Sequence, residues 1–168
     1  MITTDTGTAT EEVRRALSFV LRSTRARPQT RAELAAKLRA REYDDETIAA
    51  ALGESYSLGA IDDAAFARAW VEDRGRGRGY ATARLRQELR RRQVPDELIE
   101  AALGGLDDRD EFDAGLALAR QKAVRYPSDL PTEKIASRLV GFLVRRGYAP
   151  GLAQRIAVIA SGLDRQWD

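Results

Sequence analysis

The chain repeats itself, and the repeat limits what it can fold into. The pattern Leu34-x-x-x-Leu38-x-x-Arg41-x-Tyr43-x-x-Glu46-x-Ile48-x-x-x-Leu52 returns 51 residues later as Leu85-x-x-x-Leu89-x-x-Arg92-x-Val94-x-x-Glu97-x-Ile99-x-x-x-Leu103. About 54 residues further on it reads Leu139-x-x-x-Leu143-x-x-Arg146-x-Tyr148. The third copy then departs, with Pro150 and Gly151 where the others carry acids. Terminal repeats are atypical because one face lacks a neighbour. A period of this length in 168 residues leaves room for three units. Each is too small to bury much apolar surface alone, so neighbouring units must share interfaces.

Each copy reads as three short helices. Val13, Ala16, Leu17, Val20 and Leu21 recur at helical spacing over residues 11–23. Pro28 closes that segment, and Thr30 stands three residues before Glu33, the signature of a capping box ahead of Leu34 and Leu38. A third helix opens at Asp44 or Asp45. The second copy starts at Asp62 or Asp63, is broken by Gly75, Gly77 and Gly79, resumes over residues 81–92 and begins its last helix at Pro95. The third runs from Asp108 to Val124, then through Ile135, Leu139, Phe142 and Leu143. No sustained period-2 alternation is present, so no sheet is expected. The predicted fold is all-α: three tandem three-helix repeats in an elongated array open to curvature, with hinges near residues 53–61 and 104–107. The predicted boundaries are a disordered tail over 1–10, repeats over 11–58, 59–105 and 106–162, and a tail over 163–168. Trp70, Phe66, Phe142 and Tyr148 fall on apolar faces and read as core.

Composition then removes most chemistry. The sequence contains no His and no Cys, which excludes thiolate nucleophiles, Ser-His triads, imidazole ligands and Cys-bound metals. No catalytic, cofactor-binding or metal-binding residue is predicted. Asp62-Asp63 and Asp107-Asp108-Arg109-Asp110-Glu111 stand where helices should begin, so they read as caps and dipole partners. No segment approaches the length of a membrane span, and residues 1–10 lack the apolar stretch of a signal peptide. A cytoplasmic protein without membrane contact is expected.

Charge is concentrated in one place. Residues 74–92 hold eight Arg and one acid, Glu88, for a net +7 in a chain of net +2, which leaves −5 for the remainder. A GC-rich coding sequence accounts for 25 Arg against 3 Lys, but not for this clustering. Leu85 and Leu89 share one helical face. Arg84, Arg86, Arg90 and Arg91 lie beyond it, and within the helix only Glu88 is available to pair with them. Arg74-Gly75-Arg76-Gly77-Arg78-Gly79-Tyr80 matches no phosphate-binding fingerprint and reads as a mobile basic loop. The predicted partner-binding residues are therefore Arg74, Arg76, Arg78, Tyr80, Arg84, Arg86, Arg90 and Arg91. Their target is an anion: nucleic-acid phosphate or an acidic protein groove.

These residues also carry a resemblance. Ile61-Asp62-Asp63-Ala64-Ala65-Phe66-Ala67-Arg68-Ala69-Trp70, followed by Arg78-Gly79-Tyr80 and Arg84-Leu85-Arg86-Gln87-Glu88-Leu89, resembles the paired-acid, aromatic and basic-glycine segments of the RecX regulatory family. Arg31-Ala32-Glu33-Leu34 resembles that family's first-repeat helix, and the likeness extends over about residues 12–160. The resemblance implies a cytoplasmic regulator in recombination, DNA repair and the SOS response. Such a protein binds the RecA filament on single-stranded DNA and inhibits its ATPase, strand-exchange and coprotease activities. It implies no enzymatic activity and no cofactor, and a monomer is expected. The other reading of the same residues is a helical module that binds nucleic acid directly, without RecA.

Overall fold

In the computed structural model, residues 5–106 and 108–163 are described, with side chains for 10–106 and 111–163. The described residues form nine α-helices and no strand: α1 (Asp5–Ala26), α2 (Arg31–Arg39), α3 (Asp45–Ser57), α4 (Asp63–Val71), α5 (Thr82–Arg91), α6 (Asp96–Leu103), α7 (Asp108–Ala123), α8 (Thr132–Val144) and α9 (Pro150–Ser161). The all-α prediction holds, with helices in three successive groups of three. α1 begins at Asp5, inside the span read from the sequence as a tail. Extending a formed helix fixes one residue per bond, far cheaper than nucleating one, so the residues before Glu11 can continue the helix. Residues 1–4 and 164–168, with Trp167 among them, lie outside the described residues. Among the described residues, no helix is long and apolar enough to cross a membrane.

Contacts divide the chain into two compact units. One contains the chain up to Arg68 together with Leu89–Ile99; the other contains Ala69–Glu88 and the chain from Glu100 onward. The division passes through α4, α5 and α6 rather than through the connections near 53–61 and 104–107.

In the first unit α1 and α2 pack on α3. Ala16 and Val20 meet Leu34, Leu38, Ile48, Ala51, Leu52 and Ile61 in one core. Each large aliphatic side chain so buried stabilises the unit by roughly 1.5–3 kcal/mol relative to exposure. The capping box is formed: Thr30 Oγ1 accepts from the Glu33 amide at 3.2 Å, and the Thr30 amide donates to the Glu33 carboxylate at 3.3 Å. Asp44 caps α3 by accepting from the Thr47 amide at 2.7 Å, and that hydrogen bond holds its carboxyl below the ordinary value. The two acids of the pair at 62–63 do different jobs. Asp62 caps its own helix through the Ala65 amide at 2.8 Å, whereas Asp63 reaches to the Arg31 amide at the start of α2, also at 2.8 Å. Burial raises the pKa of Asp63, against the lowering effect of that hydrogen bond.

In the second unit α7, α8 and α9 pack on one another. Their core joins Ala81, Ala119, Leu139, Leu143, Tyr148, Ala153, Ile156 and Ala157. Glu111 again caps a helix other than its own, accepting from the Thr82 amide of α5 at 2.7 Å. Asp107 and the side chains of Asp108, Arg109 and Asp110 lie outside the described residues.

The sequence repeat is a repeat of one turn. After α2, α5 and α8 the chain passes through a left-handed residue, Glu42 (φ 65°), Gln93 (φ 56°) and Gly147 (φ 92°). In each copy the next residue's amide returns to the carbonyl of the second patterned leucine: Tyr43 to Leu38, Val94 to Leu89 and Tyr148 to Leu143, at 3.4, 3.2 and 3.2 Å. This is a Schellman closure, whose apolar partners are the patterned leucine and the residue after the left-handed one. The third copy uses glycine for a local reason. A Cβ on Gly147 would run into Arg84, whose own N and Cα lie 3.1 and 3.3 Å from that position. The patterned arginine stands near an aromatic ring in every copy. Arg41 lies 3.9 Å from the Phe19 ring centroid, Arg92 lies 5.8 Å from Phe66, and Arg146 lies 3.9 Å from Phe142.

Candidate functional site

The Gly-Arg stretch is not a loop throughout, which corrects the sequence reading. α4 runs on into a π-helical segment, Glu72–Arg76, and the Gly77 amide donates to the Glu72 carbonyl at 3.1 Å. Gly79 then turns the chain at φ +65°, where a Cβ would lie 2.7 Å from Leu118 Cδ2. The Gly79 and Tyr80 amides donate to the Gly75 and Arg74 carbonyls, both at 2.9 Å. Those donors are spent inside the chain, so the segment offers no cradle of free amides to a phosphate.

The arginines of this segment are mostly paired. In the second unit Glu88, 17% exposed, gathers three groups. Trp70 Nε1 donates to its carboxylate at 3.1 Å, Arg84 Nε donates at 3.0 Å, and Arg74 Nε lies 3.7 Å away. Arg74 also stacks on Trp70 at 3.7 Å, and Arg84 on Tyr80 at 3.9 Å while donating to the Arg145 carbonyl. Arg86 grips Glu100 through both ends of its fork, at 2.6 and 2.9 Å. Arg76 and Arg78 meet Glu72 and Asp73, each at 3.2 Å. In the first unit Arg90 meets Asp96 at 2.7 Å and Arg92 meets Glu33 at 2.5 Å. Only Arg91 of the eight has no carboxylate among the described residues, and it is exposed. The sequence reading counted Glu88 because it is the one acid within the helix. The other acids arrive from the π-helical segment, from α6 and from α2. Arg84 and Arg86 are consequently 33% and 32% exposed, so they are not freely solvated groups.

A second basic region escaped the sequence reading. Residues 120–146 hold seven Lys and Arg against two acids, for a net +5. None of the seven cations meets a carboxylate among the described residues. Five side chains of α7, α8 and the adjoining turns form a ladder in the second unit. Arg138 lies 5.6 Å from the Tyr126 ring and Lys122 lies 5.4 Å from the same ring. Lys122 is also 5.8 Å from Phe142, on which Arg146 stacks at 3.9 Å. Cation and ring alternate along it. At its Arg146 end the ladder meets the Gly-Arg turn: Arg146 Nε donates to the Arg78 carbonyl at 3.3 Å, and the Ala81 amide to the Arg146 carbonyl at 2.9 Å. Phe142 and Tyr126 are half-buried, packed against the α7–α9 core while carrying cations. Of the residues read as core, Tyr148 is fully enclosed at 3% exposure, and Phe66, Trp70 and Phe142 are half-buried. Burial, with a contribution from Glu111, pushes Tyr148 up to about 12.

A cavity of about 640 Å³ opens in the same unit among Gly75, Gly77, Tyr80, Glu111, Leu118 and Tyr148. Among the described residues, no cluster of acids is arranged to hold a metal ion.

Comparison with known proteins adds an independent line. Residues 16–54 match the model of the RecX first three-helix domain, and residues 62–103 match that of the RecX second three-helix domain. A regulatory protein RecX from Thermobifida fusca is 42% identical over 142 residues, covering 84% of this chain and 76% of that protein. One from Streptomyces coelicolor is 38% identical over 146 residues, covering 87% and 77%. The crystal structure of RecX from Lactobacillus salivarius superposes with a TM-score of 0.73 at 20% identity, over 88% of this chain and 95% of that one. At that identity the likeness speaks to the fold.

Proposed function

The chain belongs to the RecX family of regulatory proteins, and from that membership we propose that it binds the RecA filament on single-stranded DNA and inhibits RecA's ATPase, strand-exchange and coprotease activities. It acts as a monomer in the cytoplasm, without a cofactor or catalysis of its own. The observation that carries this reading is the match of both three-helix domains together with close relatives described as regulatory proteins RecX. The absence of His and Cys supports it by removing the commonest catalytic groups.

Within the predicted contact set, Arg74, Arg76, Arg78, Tyr80, Arg84, Arg86, Arg90 and Arg91, pairing separates two roles. Arg76 and Arg78 in the second unit are 70% and 53% exposed, and Arg90 in the first is 55% exposed. Like Arg91, which has no carboxylate among the described residues, they present guanidinium groups outward, and their surface pairs, worth at most about 1 kcal/mol, are ones a partner can replace. Arg74, Arg84 and Arg86 are less exposed and hold Trp70, Tyr80, Glu88 and Glu100 in place within the second unit. The test is RecA ATPase on single-stranded DNA with this protein titrated in. Inhibition below one protein per RecA is expected; an unchanged rate at excess overturns the proposal.

The cation–ring ladder favours a second reading, direct nucleic-acid binding. Binding measured at one ionic strength separates the two. Tighter binding to RecA-coated than to naked DNA supports the filament, and equal affinity supports the direct module. Direct binding also shows a log–log salt slope of about −0.9 per phosphate neutralised on duplex, or about −0.7 on a single strand.

A further inference from the structure

We propose that the ladder Arg138–Tyr126–Lys122–Phe142–Arg146 is a binding site for a short stretch of single-stranded nucleic acid, with phosphates on the cations and bases on the flat groups. This rests on the direct-binding reading and names the part of the chain that touches nucleic acid.

Three observations point there. The three cations stand against two aromatic rings and meet no carboxylate among the described residues. Their charge is not spent inside the protein, unlike that of the arginines around Glu88. The alternation is also the one a single strand requires. Its phosphates are spaced along a flexible backbone and its bases can splay to stack on rings, whereas a duplex encloses the faces of its bases. Finally, the parts can rearrange. A cation 5.4–5.6 Å from a half-buried surface ring is held by about 1 kcal/mol, so Lys122 and Arg138 can lift to a phosphate and uncover the open face of Tyr126. Arg146 needs no such movement. At 3.9 Å from the Phe142 centroid its guanidinium already stands over a ring, and guanidinium planes are surfaces on which bases stack. An acidic protein groove would use the three charges, but it has no repeating flat groups to stack on the rings between them.

The experiment is fluorescence anisotropy of a labelled oligothymidylate titrated with the full chain, without RecA, over a range of salt. The probes are oligothymidylate and an abasic strand of equal length. For the wild type, oligothymidylate should bind about 5- to 150-fold more tightly than the abasic strand for each base stacked. The Lys122→Gln/Arg138→Gln variant should bind both strands more weakly, with the log–log salt slope flattened by about 1.4, or 0.7 per lost phosphate contact. Tyr126→Leu should erase part of the preference for bases and leave the salt slope in place. Tyr126 also packs on the α7–α9 core, so its effect is read beside the double variant, which removes only side-chain termini. Unchanged affinity and slope in K122Q/R138Q would place any nucleic-acid contact on another face and overturn the proposal. Equal binding of abasic and thymidylate strands by the wild type would also overturn it, leaving a charge-only surface suited to an acidic protein. Because RecA is absent, this result and the ATPase result can fail independently.

Discussion

Residues 74–92 and residues 120–146 carry nearly equal numbers of basic side chains, eight and seven. The first stretch is dense, and seven of its eight arginines meet a carboxylate. The second is diffuse, and none of its seven cations does so among the described residues. Charge density along a sequence is therefore a poor guide to charge available to a partner. In the first stretch guanidinium forks tie helices together through Glu88, Glu100, Asp96 and Glu33. In the second, Lys122, Arg138 and Arg146 rest on rings, and Arg146 also donates to the Arg78 carbonyl.

The strongest test of that contrast is at Glu88. Its carboxylate, mostly enclosed, serves Trp70, Arg84 and Arg74. Glu88→Ala removes the carboxylate that faces two partly buried guanidinium groups and an indole N–H. Breaking a buried pair costs about 3–5 kcal/mol, and partial exposure reduces this to about 2–4 kcal/mol. For a chain of this size the melting temperature should fall by roughly 5–15 °C. Lys122→Ala, the matching change in the other stretch, should alter stability by no more than about 0.5 kcal/mol. Equal melting temperatures for the two variants would mean that the pairs around Glu88 hold nothing together and that those arginines are as available as Lys122.

The contrast also shows where the sequence is legible. Local signals were sufficient for the helices: the spacing of Leu34 and Leu38, the Thr30–Glu33 box, and the prolines at element starts. The three-fold pattern was legible, but the turn behind it was not: only the structure shows that Leu38, Leu89 and Leu143 each close a Schellman turn. What failed was whatever depends on a distant partner. Arg92 and Glu33 are 59 residues apart, and Thr82 and Glu111 are 29 apart. Nothing in either segment announces its match. The glycines at 75, 77 and 79 read as a loop because glycine weakens a helix by its backbone entropy. Here Arg74 stacks on Trp70, and Leu85 Cδ1 lies 3.2 Å from the Cβ position of Gly75, which gives the π-helical segment neighbours that a free loop lacks. Phe142 was read as core from its helical position. It does pack there, and it carries Arg146 as well, a dual placement that periodicity cannot show.

A smaller effect separates the copies of the turn. Tyr43 and Tyr148 hold equivalent positions, but Tyr148 alone is enclosed, and burial pushes its hydroxyl up to about 12 from an ordinary 10.0. In the unfolded chain that hydroxyl loses its proton near its ordinary value, and in the folded chain only about two pH units higher. Across that interval the folded state holds the extra proton, so stability is constant below it and falls as pH rises through it. Denaturant melts at pH 9 and at about 11.5 should show a loss that Tyr148→Phe reduces. An identical alkaline loss in that variant would assign the effect elsewhere and remove the burial difference between the two turns.

The smallest effect on stability is expected at Arg91, the one arginine of the dense stretch that behaves like the diffuse one. It is exposed and has no carboxylate among the described residues, so Arg91→Ala removes no pair. Thermal melting should stay within about 0.5 kcal/mol of the wild type. That neutrality makes the variant informative, because a change in activity cannot be attributed to loss of fold. If the filament is the partner and Arg91 meets an acidic group or a phosphate on it, the concentration needed for half-inhibition of RecA ATPase should rise about two- to fivefold, the worth of one exposed charge contact. The rise should shrink at high salt, where the Debye length falls to about 3 Å at 1 M and the wild type loses the same contact by screening. If Arg91→Ala inhibits as well as the wild type, an unpaired arginine in this stretch is not by itself a contact. The comparison then tips further toward residues 120–146, where several unpaired cations stand together with rings.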